Sequence, residues 1–308
     1  DSTREEWFIL AVRPSGSPSY VAFLPLAAPV PRRRISTLGN PLADHTGMLC
    51  LPGHEQQTID ALATFVKQEL RWEQLWLVQI CDPRMERFVQ EVLPRRAEQR
   101  RTQTPCPYIE LPQTWERYLM DSLKSNARRK LRRTLEQIEE DDRVYVTTAH
   151  AEDLEERIET LLALWQERWG KKPAHVLNGC RATFRRCFEN ESLYLATVWH
   201  TETPIAAVAC LVDRVQRTYS GYICSWDARF SDMSPGIMGW ALSVQDAIES
   251  GMKGYDFLRG DEQYKYTTFG AVDRMNTNVF ITRTSLRVAA QKLIQRGGNL
   301  FRERSSAP

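Results

Sequence analysis

Residues 234–265 read SPGIMGWALSVQDAIESGMKGYDFLRGDEQYK, and they place groups able to hold an anion next to groups able to move protons. Ser234 suits a helix cap and Pro235 the first helical position, because proline lacks the N–H that would go unpaired there. Ile237, Trp240, Ala241, Val244 and Ile248 then recur at helical spacing, and Gly251 closes the helix. Main-chain amides of Gly236, Ile237 and Met238 are unspent at such a start, and the helix dipole favours an anion beside them. The same residues also make an ordinary well-formed helix start. Tyr255–Leu258 reads as a short strand, Gly260 as its breaker, and Glu262 onward as a further helix. Asp256 alternates with Tyr255 and Phe257, so it faces the other side of its strand, either towards a reaction centre or as the partner of Arg259. Asp261 is a site carboxylate or a helix cap. Lys265 is a surface cation or a holder of an anionic substrate. Tyr264 stands one helical turn from Asp261. On the preceding strand, Tyr219 and Tyr222 either line a cleft or pack on the sheet.

The elements that must carry these groups alternate between strands and helices. Trp7–Val12 and Tyr20–Leu26 read as strands, Ile59–Leu70 as a helix, Leu75–Ile80 as a buried strand and Arg84–Leu93 as a helix. Thr114–Glu140 reads as one long helical region. Within it Lys124, Arg128, Arg129, Lys130, Arg132 and Arg133 precede Glu136, Glu139, Glu140, Asp141 and Asp142, against the preference of the helix dipole. That block is either a solvated face laced with pairs such as Arg132–Glu136 or a docking face for an anion. A second unit begins with the strand Val144–Thr148 and a helix faced by Leu154, Ile158, Leu161, Trp165 and Trp169. Leu193–Trp199, Ile205–Val212 and Arg217–Cys224 follow as strands at hairpin spacing. An α/β class with antiparallel meanders is expected.

The 308 residues suffice for two lobes, and a net charge of +2 does not by itself point to nucleic acid. No apolar run approaches the ~20 residues that span a bilayer. The seven cysteines form no C-x-x-C pair, and no histidines stand at metal-ligand spacing. No metal is expected, and a reducing cytoplasm is the expected location.

The order Tyr219-Ser-Gly-Tyr222, Asp227, Ser234-Pro-Gly236, Gly251 and Tyr255-Asp-Phe-Leu-Arg-Gly-Asp-Glu-Gln-Tyr-Lys265 resembles the cellulose-biosynthesis-type, FemAB-like branch of the GNAT (acyl-CoA N-acyltransferase) superfamily. Ser125–Arg133 and Trp165 with Arg168-Trp169 add to the resemblance. It implies an α+β fold of two tandem GNAT-like lobes with mixed, mostly antiparallel sheets: an N-terminal lobe over 1–120, a connecting helix over 121–143 and a catalytic lobe over 144–308. It implies acyl-CoA, acetyl-CoA first, as donor at Ser234, Gly236, Ile237, Met238 and Gly239. The implied acceptor is an amine of a sugar, sugar nucleotide or small metabolite, in polysaccharide or envelope biosynthesis. Acyl transfer to an amine needs a base for the ammonium proton, a donor for the oxyanion and an acid for the departing thiolate. Asp256, Asp261 and Glu262 are the nearby carboxylates and Tyr264 or Tyr266 the acids; Asp256, Asp261, Tyr264 and Lys265 form the implied catalytic set, and Tyr219, Tyr222 and Arg259 the candidate partners of substrate. The chain departs from the usual Q/R-x-x-G-x-G/A helix start, having Met233-Ser-Pro-Gly236-Ile-Met238 instead. That leaves acyl-CoA, an acyl carrier protein and an aminoacyl-tRNA open as donors, and two alternative functions stand beside the first: an aminoacyl-tRNA-dependent, FemX-like peptide ligase, or a non-catalytic binding protein of exopolysaccharide assembly.

Overall fold

The computed structural model describes residues 5–29, 33–39 and 43–283. They divide into two compact units, one reaching to Thr104 and resuming at Met275, the other running from Pro105 to Arg274.

In the first unit, strands β1 (Glu5–Val12), β2 (Ala22–Pro29), β3 (Arg34–Thr37) and β4 (Leu49–Cys50) precede helix α1 (Glu55–Gln68), strand β5 (Gln74–Ile80) and helix α2 (Arg84–Val92). β6 (Ala97–Glu110) then carries the chain into the second unit. The sheet order is β1-β2-β3-β5, with β3 and β5 parallel. Leu24 and Leu26 alternate inward from β2, Leu75 and Leu77 from β5, and Ile59, Leu62 and Val66 of α1 cover them. This is the period-two and period-three-to-four patterning that one-sided burial demands.

The second unit begins with a short helix α3 (Trp115–Arg117), a π-turn over Tyr118–Ser122, and helix α4 (Ser125–Glu140). Strand β7 (Val144–Thr148), helices α5 (Leu154–Trp169) and α6 (Ala174–Glu189), and strands β8 (Leu193–His200), β9 (Thr203–Asp213) and β10 (Thr218–Trp226) follow. A 3₁₀ turn over Ala228–Met233 leads to α7 (Pro235–Glu249), β11 (Gly254–Asp256), α8 (Gln263–Thr267) and β12 (Val272–Arg283). The sheet runs β6-β11-β10-β9-β8-β7; β10 and β11 are parallel, and the other neighbours antiparallel. On β9 the side chains of Ala206, Val208 and Cys210 face one layer, which includes α7, while Ala207 and Ala209 face α5 and α6. Small residues there let helices approach both faces of the strand.

Both units are thus mixed α/β layers with mostly antiparallel sheets, as expected. The region 121–143, read from sequence as a connector, lies inside the second unit, where Ala127, Leu131 and Thr134 of α4 are buried. Nor is Thr114–Glu140 one helix. Leu123 is extended (φ −116°, ψ 139°) and buries its side chain, which separates the π-turn from α4. β12 returns to pair antiparallel with β5, so Val279 and Ile281 complete the first unit's core.

Candidate active site

The pairing of β10 with β11 lasts only from Thr218↔Gly254 to Ser220↔Asp256, and β10 continues alone on that edge to Trp226. Beside this unpaired end α7 begins. Asp227 prepares its entry by accepting from the Arg229 N–H at 2.9 Å and from the Arg229 guanidinium, which holds its carboxyl below the usual carboxylate range. Ser234 stands at the cap position in left-handed backbone (φ 56°, ψ 47°), and its hydroxyl caps nothing. Side-chain capping is made from extended backbone, which this residue does not have. Its carbonyl instead accepts from both Ile237 N–H (2.9 Å) and Met238 N–H (3.1 Å). The Gly236 amide is left without a main-chain acceptor among the described residues. Gly236 is also where Trp226 crosses α7: a Cβ there would lie 2.5 Å from the indole Cδ1.

A cavity of about 320 Å³ opens at this start. Its walls are Cys224 and Trp226 of β10, Ser231, Ser234, Pro235, Gly236, Ile237 and Trp240, with Arg168 and Trp169 from the end of α5 and Glu262 and Tyr264 from α8 and its cap. The Arg168 guanidinium lies 4.1 Å over the Trp226 ring. Burial pushes the Tyr264 phenol well above the ordinary tyrosine value and the Cys224 thiol far above its own, so both keep their protons at neutral pH.

The bend after β11 is held from within. Asp256 is buried, and its Oδ1 accepts from the Leu258 N–H at 2.7 Å, stabilising Leu258 in left-handed backbone (φ 57°). Lys265, only 3% exposed, donates through Nζ to the carbonyls of Phe257, Arg259 and Gly260, each at 3.2 Å, and pairs with Glu262 Oε2 at 2.9 Å. Charge-assisted bonds of this number fix the loop. Of the residues singled out from sequence, Ser234, Gly236, Ile237 and Tyr264 meet at the cavity. Asp256 and Lys265 build the bend that presents Glu262 and Tyr264. Asp261 is exposed, and Arg259 is half-buried on the bend; neither lines the cavity. Met238 is wholly buried among Val144, Val198 and Ile205, and Gly239 packs against the Cys224 sulfur. Tyr219 donates its hydroxyl to Asp246 at 2.7 Å beneath α7, whereas Tyr222 lies on the opposite face against Phe184. Neither tyrosine lines the cavity. Tyr266 donates to Asp273 at 2.6 Å, outside the cavity.

Sequence reasoning did not bring Trp226, Trp240 or Arg168 to the site. Trp240 carries the same spacing as a core residue, and the Arg168-Trp169 pair entered only through the family pattern. The α4 cations show a further feature: among the described residues, none of Lys124, Arg128, Arg129, Lys130, Arg132 or Arg133 pairs with a carboxylate, and the expected Arg132–Glu136 bridge is not formed.

The family model of the acetyltransferase (GNAT) domain matches residues 125–266, which span α4 to α8 and contain every residue lining the cavity. The segment is thus similar to a GNAT acetyltransferase domain, which supports an acyltransferase. The fold of the chain also aligns with solved structures over most of its length. The crystal structure of FemX aligns at TM-score 0.62 and 10% identity, over 92% of this chain and 90% of that one. L-PGS from Bacillus licheniformis aligns at TM-score 0.59 and 11% identity, over 95% and 88%. A tandem GNAT protein from the clavulanic acid biosynthesis pathway aligns at 0.51 and 10%, over 91% and 83%. At such identities the likeness concerns the fold. No curated protein matches by sequence. No helix among the described residues is long and apolar enough to cross a membrane.

Proposed function

We propose that the chain is an N-acyltransferase that takes acyl-CoA at the start of α7 and passes the acyl group to an amine of a sugar, sugar nucleotide or small metabolite. One observation carries this reading: Gly236 and Ile237 of the donor motif line the same cavity as Tyr264 and Glu262 of the signature bend. The Gly236 amide and the helix dipole suit a donor phosphate. Glu262, tethered by Lys265, is the carboxylate placed to take the ammonium proton as the amine attacks the thioester carbon. The C–S bond then breaks, the protonated Tyr264 phenol supplies the proton of the leaving thiolate, and the second proton lost by the acylated nitrogen restores the phenol. Asp256 and Asp261, weighed from sequence for the base, give way to Glu262 because neither lines the cavity. All seven cysteines are free, which suits a cytoplasmic setting.

Titration calorimetry with coenzyme A and acetyl-CoA tests the donor. Binding of both at micromolar concentration is expected; absence of heat with either would refute the reading. A second reading, an aminoacyl-tRNA donor, is favoured by the α4 cations, which pair with no carboxylate among the described residues. Filter binding of total tRNA, with affinity falling steeply as salt rises, would support it over acyl-CoA.

A further inference from the structure

We propose that Trp240 sets the length of the acyl group that the cavity accepts, and limits it to short chains. The inference rests on the acyl-donor reading above and deepens it. Trp240 lines the cavity but is only 8% exposed, so its indole forms the inner wall between the opening and the core. The ring lies against the backbone of β10 where that strand leaves β11: a Cβ built on Gly221 would stand 2.6 Å from the indole Cζ3 and 3.1 Å from Cη2. Gly221 is therefore the residue that allows the indole to sit so deep.

The indole has no room to swing aside. Phe257 meets it edge-on at 5.5 Å between ring centroids, Tyr255 at 6.5 Å, and Phe257 is itself backed by Phe269 at 5.3 Å. Tyr255 is pinned through its hydroxyl to Ser243 Oγ at 2.7 Å, and the Cys210 sulfur lies 3.4 Å from that hydroxyl. Close-packed interiors yield little to a ligand. An acyl chain entering between Ile237 and Tyr264 meets a rigid aromatic end wall. The space that a longer chain would need is the space the indole fills. Removing the ring would leave an apolar void, and such voids take apolar guests. Each methylene that gained burial there would tighten binding by about fourfold.

The test is the binding of coenzyme A and its acetyl, butanoyl, hexanoyl and octanoyl thioesters to the full chain, followed by calorimetry. Affinity is read rather than turnover because Trp240 also touches the Tyr264 hydroxyl. For the parent, affinity should peak at acetyl or butanoyl and fall by tenfold or more at octanoyl. Trp240→Leu should move the peak by at least two carbons and tighten hexanoyl-CoA about tenfold, with coenzyme A unchanged. Gly221→Ala pushes the indole towards the opening and should weaken butanoyl-CoA relative to acetyl-CoA. A parent that binds octanoyl-CoA as tightly as acetyl-CoA overturns the proposal, whatever the variants do. So does a folded Trp240→Leu, checked by its melt, that keeps the parental profile. If no thioester and no coenzyme A binds the parent, the donor reading falls and this inference with it. If all bind irrespective of length, only the inference falls.

Discussion

A phenol in water gives up its proton near pH 10. Tyr264 is held above that because burial penalises the phenolate, and a hydrogen bond from Trp240 offsets only part of the effect. The active form of an acid catalyst is the protonated one, so a raised value moves the loss of activity to higher pH. Turnover should therefore show no alkaline fall in the range where an exposed tyrosine titrates. Tyr264→Phe should lower kcat by about 10²–10⁴ with a smaller effect on donor affinity, since a group acting on the leaving thiolate works in the transition state. An unchanged kcat, or an alkaline limb below the ordinary tyrosine range, would reassign the phenol to packing against Phe269, its neighbour at 6.3 Å. Lys265 shows the opposite division of labour. Its charge reads from sequence as a substrate contact, yet its ammonium is spent on three carbonyls and Glu262. Residue type alone does not separate these roles; what separates them is burial.

At the level of elements, α4 breaks local rules, and among the described residues no carboxylate pairs with its cations. Its acids trail and its bases lead, against the helix dipole. Arg128 and Arg132, and Arg129 and Arg133, stand as like charges one turn apart. Such conflicts concentrate where function requires them. Arg129→Glu removes one repulsion and places an acid four residues before Arg133, so calorimetric melting should rise by the equivalent of about 0.4–1 kcal/mol. If the cations serve an anionic substrate, the same variant binds it less well; a lowered melting temperature would mean instead that Arg129 supports the fold. The elements legible in the sequence were those with clean periods. Leu154–Trp169 and the helix opening at Pro235 stand where the apolar spacing put them. β6 was not legible, because the first half of AEQRRTQTPCPYIE is polar and exposed and the second carries two prolines. The break at Leu123 was not legible either, since no Gly or Pro marks it.

The two units make the whole molecule partly readable and partly not. An alternation of strands and helices announces two α/β layers, and one-sided burial delivers them. What the alternation cannot announce is that Met275–Arg283 return to the first unit, because pairing partners two hundred positions apart leave no local period. The candidate site has the same character. The helix start at Ser234 and the bend after Asp256 are local and were visible, but Trp226, Trp240 and Arg168 converge only through sheet and helix packing. All twelve lining residues belong to the unit spanning Pro105–Arg274, whereas Ile281, fully buried, belongs to the other. Ile281→Ala should thus cost about 2–5 kcal/mol, the usual range for a truncation that leaves a cavity. Hydrogen exchange read by mass spectrometry should show protection falling in α1 and β5, which pack around that side chain, and staying at parental levels in α7 and β10. Affinity for acetyl-CoA should then survive the substitution. Equal loss of protection in α7 and β10 would mean that the two units unfold as one, and that the donor cavity depends on a core to which it contributes no side chain.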